Sequence, residues 1–102
     1  MINLLQFEGL GFCREGAGPD FVRANTFEVE GSFPFNTSGG QLSVGQAGAA
    51  GGHLGITEAI RQLTGQPLGA QVPDARHGVV SGFGMINYDR GVCCGAVVLA
   101  AA

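Results

Sequence analysis

Side chains able to move a proton or attack a carbon near neutral pH are few in this sequence: Cys13, His53, His77, Tyr88, Cys93 and Cys94, with Asp89 beside the tyrosine. The two histidines are acid–base or ligand candidates, although such residues are most often hydrogen-bonded inside a fold or simply exposed. The cysteines form no C-x-x-C pair and are odd in number, which argues against a disulfide framework and against a zinc site. Cys93 and Cys94 sit in an apolar run and read as small core residues. No metal site is expected.

The other suggestive feature is a stretch with almost no reactive groups. Residues 36–48 read NTSGGQLSVGQAG, a polar turn and a glycine pair leading into a helical pattern. Helix amino termini favour anions, so a phosphate cradle has to be tested. No G-K-[ST] follows, and Gly45, Gly48 and Gly51 do not make G-x-G-x-x-G. No G-x-S-x-G elbow surrounds Ser38, Ser43 or Ser81, so a serine hydrolase lacks support.

The chain's 102 residues bound it to one domain at most. Charged residues make up only 13%, against about 25% in an ordinary soluble domain, so much of the surface is expected to face protein. Five scattered arginines and a net charge of −3 give no basic stripe for nucleic acid. The amino terminus MINLLQFEGL lacks a basic leader, and no apolar run approaches the roughly 18 residues of a membrane span. A cytoplasmic protein is the expectation.

Several elements must position these groups. Leu4, Phe7 and Leu10, with Ile2 and Leu5, predict a short amphipathic helix over residues 2–12, ended by Gly9 and Gly11. CREGAGPD reads as an exposed loop, and alternation over Thr26 to Glu30 as a weak strand. After Phe35 a long helical pattern runs to Thr64, with Gly65 as its cap and Pro67 beyond it.

That helix carries two stripes: His53, Ile56, Ile60 and Leu63, and the nearly bare Gly48, Gly52, Gly55 and Ala59. Each interior glycine costs about 0.5–1 kcal/mol relative to alanine, so close approach of another backbone or of a ligand must explain them. The helix is expected to pack on more than one side. His77 to Phe83 predicts a strand, GMINYDRG a loop, and VCCGAVVLAA a strand buried on both faces. The order is that of an α/β arrangement.

These blocks together carry a family resemblance. NTSGGQLSVGQAG with its small-residue helix, then AIRQLTG, QVPDAR and the closing apolar strand, resembles the C-terminal part of a thiolase-superfamily protein. The likeness is greatest to the sterol-carrier-protein-type thiolases and their thiolase-like relatives, and LLQFEGLGFCREGAGPDFV is similar to the segment preceding this region in that branch. The resemblance implies a layered α/β thiolase-like fold, with a buried glycine-rich helix packed on a mixed sheet. Residues 1–102 then form a single partial domain that excludes the N-terminal half bearing the nucleophilic cysteine.

It also implies acyl-CoA chemistry in lipid metabolism, with the coenzyme A thioester as substrate and no separate cofactor. In the family a G-H-P histidine activates the nucleophile or holds the thioester oxygen, and a C-x-G cysteine handles the proton of the attacking carbon. The first motif falls here on Gly45, Gln46 and Ala47, so Gln46 replaces the histidine; an amide donates a hydrogen bond but takes no proton near neutral pH. The second falls near Ser81, Gly82 and Phe83, without its cysteine, and Cys93–Gly95 spells C-x-G only inside a strand.

Asn36, Gly39, Gly40, Ser81 and Gly82 are thus the expected substrate-binding positions, and Gln46, His53 and Tyr88 the catalytic candidates. Tyr88 lies in the glycine-flanked loop where the acid–base turn would face the substrate, a position from which a phenol can exchange protons. Three functions follow: a thiolase-like acyltransferase, a thiolase-like retro-aldolase cleaving a β-hydroxyacyl-CoA, or a non-catalytic fragment or subunit. The implied partners are a homodimer mate or the rest of a thiolase subunit, and for the aldolase a small OB-fold subunit.

Overall fold

The computed structural model describes residues 2–46, 48–88 and 90–102, and of residues 49, 83, 85, 86, 90 and 91 the backbone alone. The chain divides into two compact units, Met1–Phe35 and Asn36–Ala102.

The first unit is organised by phenylalanine. Helix α1, Ile2–Gly9, forms where the apolar spacing predicts one and buries Phe7. The helix ends as expected: Phe12 N–H donates to Phe7 O at 2.9 Å and Gly11 N–H to Glu8 O at 3.0 Å, with Gly11 at φ 81°, the paired bonds of a Schellman motif. Around the Phe7 ring stand those of Phe12, Phe21, Phe27, Phe33 and Phe35, with centroids 5.2–6.5 Å away.

Helix α2, Gly18–Ala24, starts inside the segment expected to be an exposed loop. Pro19 suits the first helical turn, Asp20 complements its dipole, and Gly18 N–H donates to Glu8 Oε1 at 2.9 Å. Those start signals were present in GPDFVRA; the preceding Gly16 and Gly18 masked them.

The alternation over residues 26–30 is real in burial, Phe27 and Val29 inward and Glu28 and Glu30 outward, but it forms no strand. The chain instead folds back at Gly31, with Phe33 N–H donating to Thr26 O at 3.0 Å and Phe35 N–H to Phe27 O at 3.1 Å. A short apolar–polar alternation fits any segment lying on a core, and Gly31 and Pro34 favour the reversal.

The second unit replaces the long predicted helix by three pieces: α3, Gly40–Val44; a 3-10 turn, Gly48–Gly52; and α4, His53–Leu63. The break is at Gly45, whose φ of 94° and ψ of 157° leave helical space. Glycine density, read from sequence as a packing surface within a helix, also interrupts it.

Helix α4 ends at Gly65 as expected, with Gln66 N–H donating to Arg61 O at 2.8 Å, Gly65 N–H to Gln62 O at 3.4 Å, and Gly65 at φ 68°. Gly65→Ala places a Cβ in the left-handed region and is expected to lower stability by about 1–2 kcal/mol, read as a drop in the urea midpoint at unchanged slope.

Strands β1, His77–Asn87, and β2, Arg90–Ala100, pair antiparallel in register from His77 opposite Ala100 to Asn87 opposite Arg90. The ribbon therefore runs through most of the predicted eight-residue loop, and only positions 88 and 89 separate the paired ends. Tyr88 takes φ 49° there, the left-handed backbone that two-residue hairpin connections favour. Asp89 and Ala47 lie outside the described residues.

Helix α4 packs on the ribbon through its bare stripe. A Cβ on Gly55 would lie 2.9 Å from Val80 Cγ1, and the same construction at Gly78 meets Ala59 Cβ at 3.5 Å. The glycine that propensity could not explain at Gly55 is explained by this approach. Of the other stripe Leu63 is half-buried, its Cδ1 3.7 Å from where a Cβ on Gly78 would stand, while His53, Ile56 and Ile60 are exposed.

Strand β2 was expected to be buried on both faces, yet Val92 and Val98 are 60% and 66% exposed, and Cys93 and Cys94 are exposed too. One 11-residue helix against a two-stranded ribbon does not cover two faces. Among the described residues the sheet has these two strands, and no helix is long and apolar enough to cross a membrane.

Candidate functional site

The Asn36–Gly40 turn is held by local bonds and has three residues in left-handed space, Asn36, Gly39 and Gly40, the last at φ 66°. Asn36 has φ 56° and Gly39 φ 75°; Gly39 N–H donates to Asn36 O at 2.8 Å, and Gly40 N–H to Ser38 Oγ at 3.3 Å. Asparagine tolerates such a φ better than other residues with side chains. Its amide lies over Gly40, where a Cβ would be 3.0 Å from Asn36 Oδ1. A Cβ on Gly39 would lie 2.8 Å from Ser43 Cβ in the first turn of α3. Asn36, Gly39 and Gly40 are thus brought into one tight turn with exposed backbone.

Gln46 follows the Gly45 break with its side chain exposed and its Cγ against Gly51: a Cβ there would be 3.5 Å from it. His53 opens α4, is exposed, and its carbonyl accepts from Thr57 Oγ1 at 3.0 Å. Ser81 and Gly82 lie in mid-ribbon, opposite Ala96 and Gly95, not at a strand end as the motif placement implied. Tyr88 is 92% exposed at the ribbon tip. It lies seven positions beyond Ser81, roughly 23 Å at the rise of an extended strand, so the fold does not bring the two together.

The thiols supply no activated nucleophile in the first unit: partial burial pushes Cys13 up from its ordinary pKa and the Glu8 carboxylate adds to this, keeping it protonated. Among the described residues no three His, Cys, Asp or Glu side chains gather to hold a metal ion.

Sequence reading did not pick out a polar cluster on α4. Gln62, 8% exposed, donates through Nε2 to Glu58 Oε1 and to Ala70 O, each at 2.9 Å, and accepts through Oε1 from Val72 N–H at 2.8 Å. Gln71 Nε2 returns a bond to Gln62 O at 3.0 Å. Glu58 Oε1 also accepts from Thr37 Oγ1 at 2.7 Å. The available signal was Glu58 and Gln62 at i,i+4 on one helix face, followed by QVP.

Known proteins resemble this chain as follows. A 17-hydroxy-3-oxo-4-pregnene-20-carboxyl-CoA lyase of Mycobacterium tuberculosis is 48% identical over 63 residues, 62% of this chain and 16% of that protein. A steroid side-chain-cleaving aldolase of Thermomonospora curvata is 45% identical over 62 residues, 61% of this chain and 15% of the aldolase. Human sterol carrier protein 2 is 36% identical over 74 residues, 72% of this chain and 14% of its own length. The chain therefore spans only about a sixth of these relatives or less. No solved structure matches it. The thiolase C-terminal domain-like family matches residues 1–94, a span that holds the glycine turn, the small-residue helix, β1 and the first part of β2, and the chain belongs to this family.

Proposed function

We propose that this chain is the C-terminal part of an enzyme acting on acyl-CoA thioesters, and that the reaction is retro-aldol cleavage of a β-hydroxyacyl-CoA. The observation that carries the reaction type is the 48% and 45% identity to proteins named as a CoA-ester lyase and an aldolase. The replacement of the family's G-H-P histidine by Gln46 supports it, because a glutamine serves a reaction that needs a hydrogen bond to the thioester oxygen and no base at that position. The acyltransferase reading rests on the thiolase family itself.

In the cleavage, the β-hydroxyl loses its proton, the Cα–Cβ bond breaks, and its electron pair passes into the thioester as an enolate. The products are a ketone or aldehyde and, after protonation at Cα, a shortened acyl-CoA. Asn36, Gly39 and Gly40 line the thioester, Gln46 donates to its oxygen, and Ser81 and Gly82 line the substrate further along the ribbon. Tyr88 exchanges the hydroxyl proton, and His53 is held in reserve as a second acid–base group.

The layered thiolase fold supplies what this chain leaves open. A mixed sheet, from the rest of the subunit or a homodimer mate, covers Ile56, Ile60, Val92 and Val98, so that α4 becomes the buried helix between layers. A small OB-fold subunit accompanies the aldolase activity, and the enzyme works in the cytoplasm. Tyr88→Phe in the whole protein is expected to lower turnover at least about tenfold, the weak end of general acid–base effects. An unchanged rate makes Tyr88 a surface residue.

A further inference from the structure

We infer that Glu58 and Gln62 are positioning residues for the Asn36–Gly40 turn, acting through Thr37; this rests on the reading of that turn as the thioester site. The turn holds Asn36, a residue with a side chain, at φ 56°, a sparsely populated conformation that persists when its surroundings hold it. Its two internal bonds involve Gly39 and Gly40 and leave the Thr37 side chain free to reach outward. That side chain is fixed by donating to Glu58 Oε1 at 2.7 Å, the short distance of a hydrogen bond to a carboxylate.

Glu58 is fixed in turn. The same oxygen accepts from Gln62 Nε2 at 2.9 Å, one turn further along α4. Gln62 is buried and its amide is anchored at both ends to the backbone before β1, to Ala70 O and from Val72 N–H. The amide orientation follows from those two partners, because a flipped group would set donor against donor at Val72. A continuous chain of hydrogen bonds thus runs from the 70–72 loop through Gln62 and Glu58 of helix α4 to Thr37, the second residue of the NTSGG turn. Glu58 Oε1 meets the turn through the Thr37 hydroxyl, so its effect is on where Asn36 and the glycine amides stand.

The test measures kcat, KM and melting temperature for variants of the whole protein, with activity expressed per folded enzyme. Thr37→Val keeps size and removes the hydroxyl, and is expected to lower kcat/KM about tenfold; Glu58→Leu should lower it about thirtyfold, since small displacements of a positioned group cost up to about a hundredfold. Thr37→Ser and Glu58→Gln keep donor and acceptor and should stay within about threefold of the parent enzyme. Gly39→Val, which distorts the turn directly, is the reference.

If Gly39→Val abolishes turnover while Thr37→Val and Glu58→Leu remain within about twofold of the parent, the positioning chain is wrong and the thioester site stands. Melting temperatures that fall for Thr37→Val and Glu58→Leu, with unchanged kcat and KM per folded enzyme, equally reduce the chain to a stability role. If Gly39→Val itself leaves turnover unchanged, the turn is not the thioester site, and the inference falls with it.

Discussion

Phe7→Ala is expected to unfold the first unit. Phe7 is the one large hydrophobic side chain that is 5% exposed among the described residues, and five other rings pack around it. Removing a buried phenylalanine costs about 3–5 kcal/mol. Here Phe12, Phe33 and Phe35 also lose an edge-to-face partner and Phe27 a stacked one, worth about 0.5–1.5 kcal/mol apiece beyond burial. A unit of this size has little stability in reserve. Trypsin reads the result directly, because Arg14 and Arg23 are exposed within the unit. Cleavage at both should accelerate strongly in Phe7→Ala and much less in Phe12→Ala, whose side chain is already 36% exposed. Equal protection in the two variants would show that the ring cluster does not hold the unit together.

Gly39→Val carries the second large effect, this one on catalysis. The substitution puts a β-branched residue at φ 75° and drives its Cβ to 2.8 Å from Ser43 Cβ. The left-handed conformation alone costs about 1–2 kcal/mol. The turn escapes by moving, and it moves Asn36 and the Gly39 and Gly40 amides with it. A displacement near 1 Å at a substrate-positioning group costs on the order of a hundredfold in rate, so kcat/KM for the acyl-CoA substrate should fall by about that factor. The melting temperature should fall by only a few degrees, as expected for about 1–2 kcal/mol in a protein larger than this chain. Parallel loss of fold and activity would instead mark Gly39 as structural.

What the sequence revealed and what it hid follow from the range of the interactions involved. Helix α1, both glycine caps and the two strand cores rest on local rules, and residues 2–12, 65, 77–83 and 92–100 obeyed them. Helix α2 was missed although Pro19 and Asp20 announced it, because the flanking glycines outweighed them in the reading. The break at Gly45 and the two-residue turn at Tyr88 depend on left-handed backbone, which glycine permits and tyrosine rarely adopts, so composition favoured an unbroken helix and a long loop.

The openness of Val92 and Val98 is of another kind. Their hydrophobicity predicts burial, and among the described residues one helix against a two-stranded ribbon leaves that prediction unmet. At the site, the Asn36–Gly40 turn was legible because its residues are consecutive. The Thr37–Glu58–Gln62 chain was not, because contacts 21 residues apart in sequence appear only once the turn and helix meet.

The central claim is a lyase reaction on a CoA ester, and product analysis without free coenzyme A tests it most directly. The whole protein, together with the small OB-fold subunit proposed for it, is given a β-hydroxyacyl-CoA bearing a tertiary hydroxyl, and the products are separated by mass. Retro-aldol cleavage predicts equal amounts of a ketone and a shortened acyl-CoA, with no requirement for added coenzyme A. An enzyme that leaves this substrate intact, and instead splits a 3-ketoacyl-CoA only when free coenzyme A is supplied, would contradict the claim and return the protein to acyl transfer.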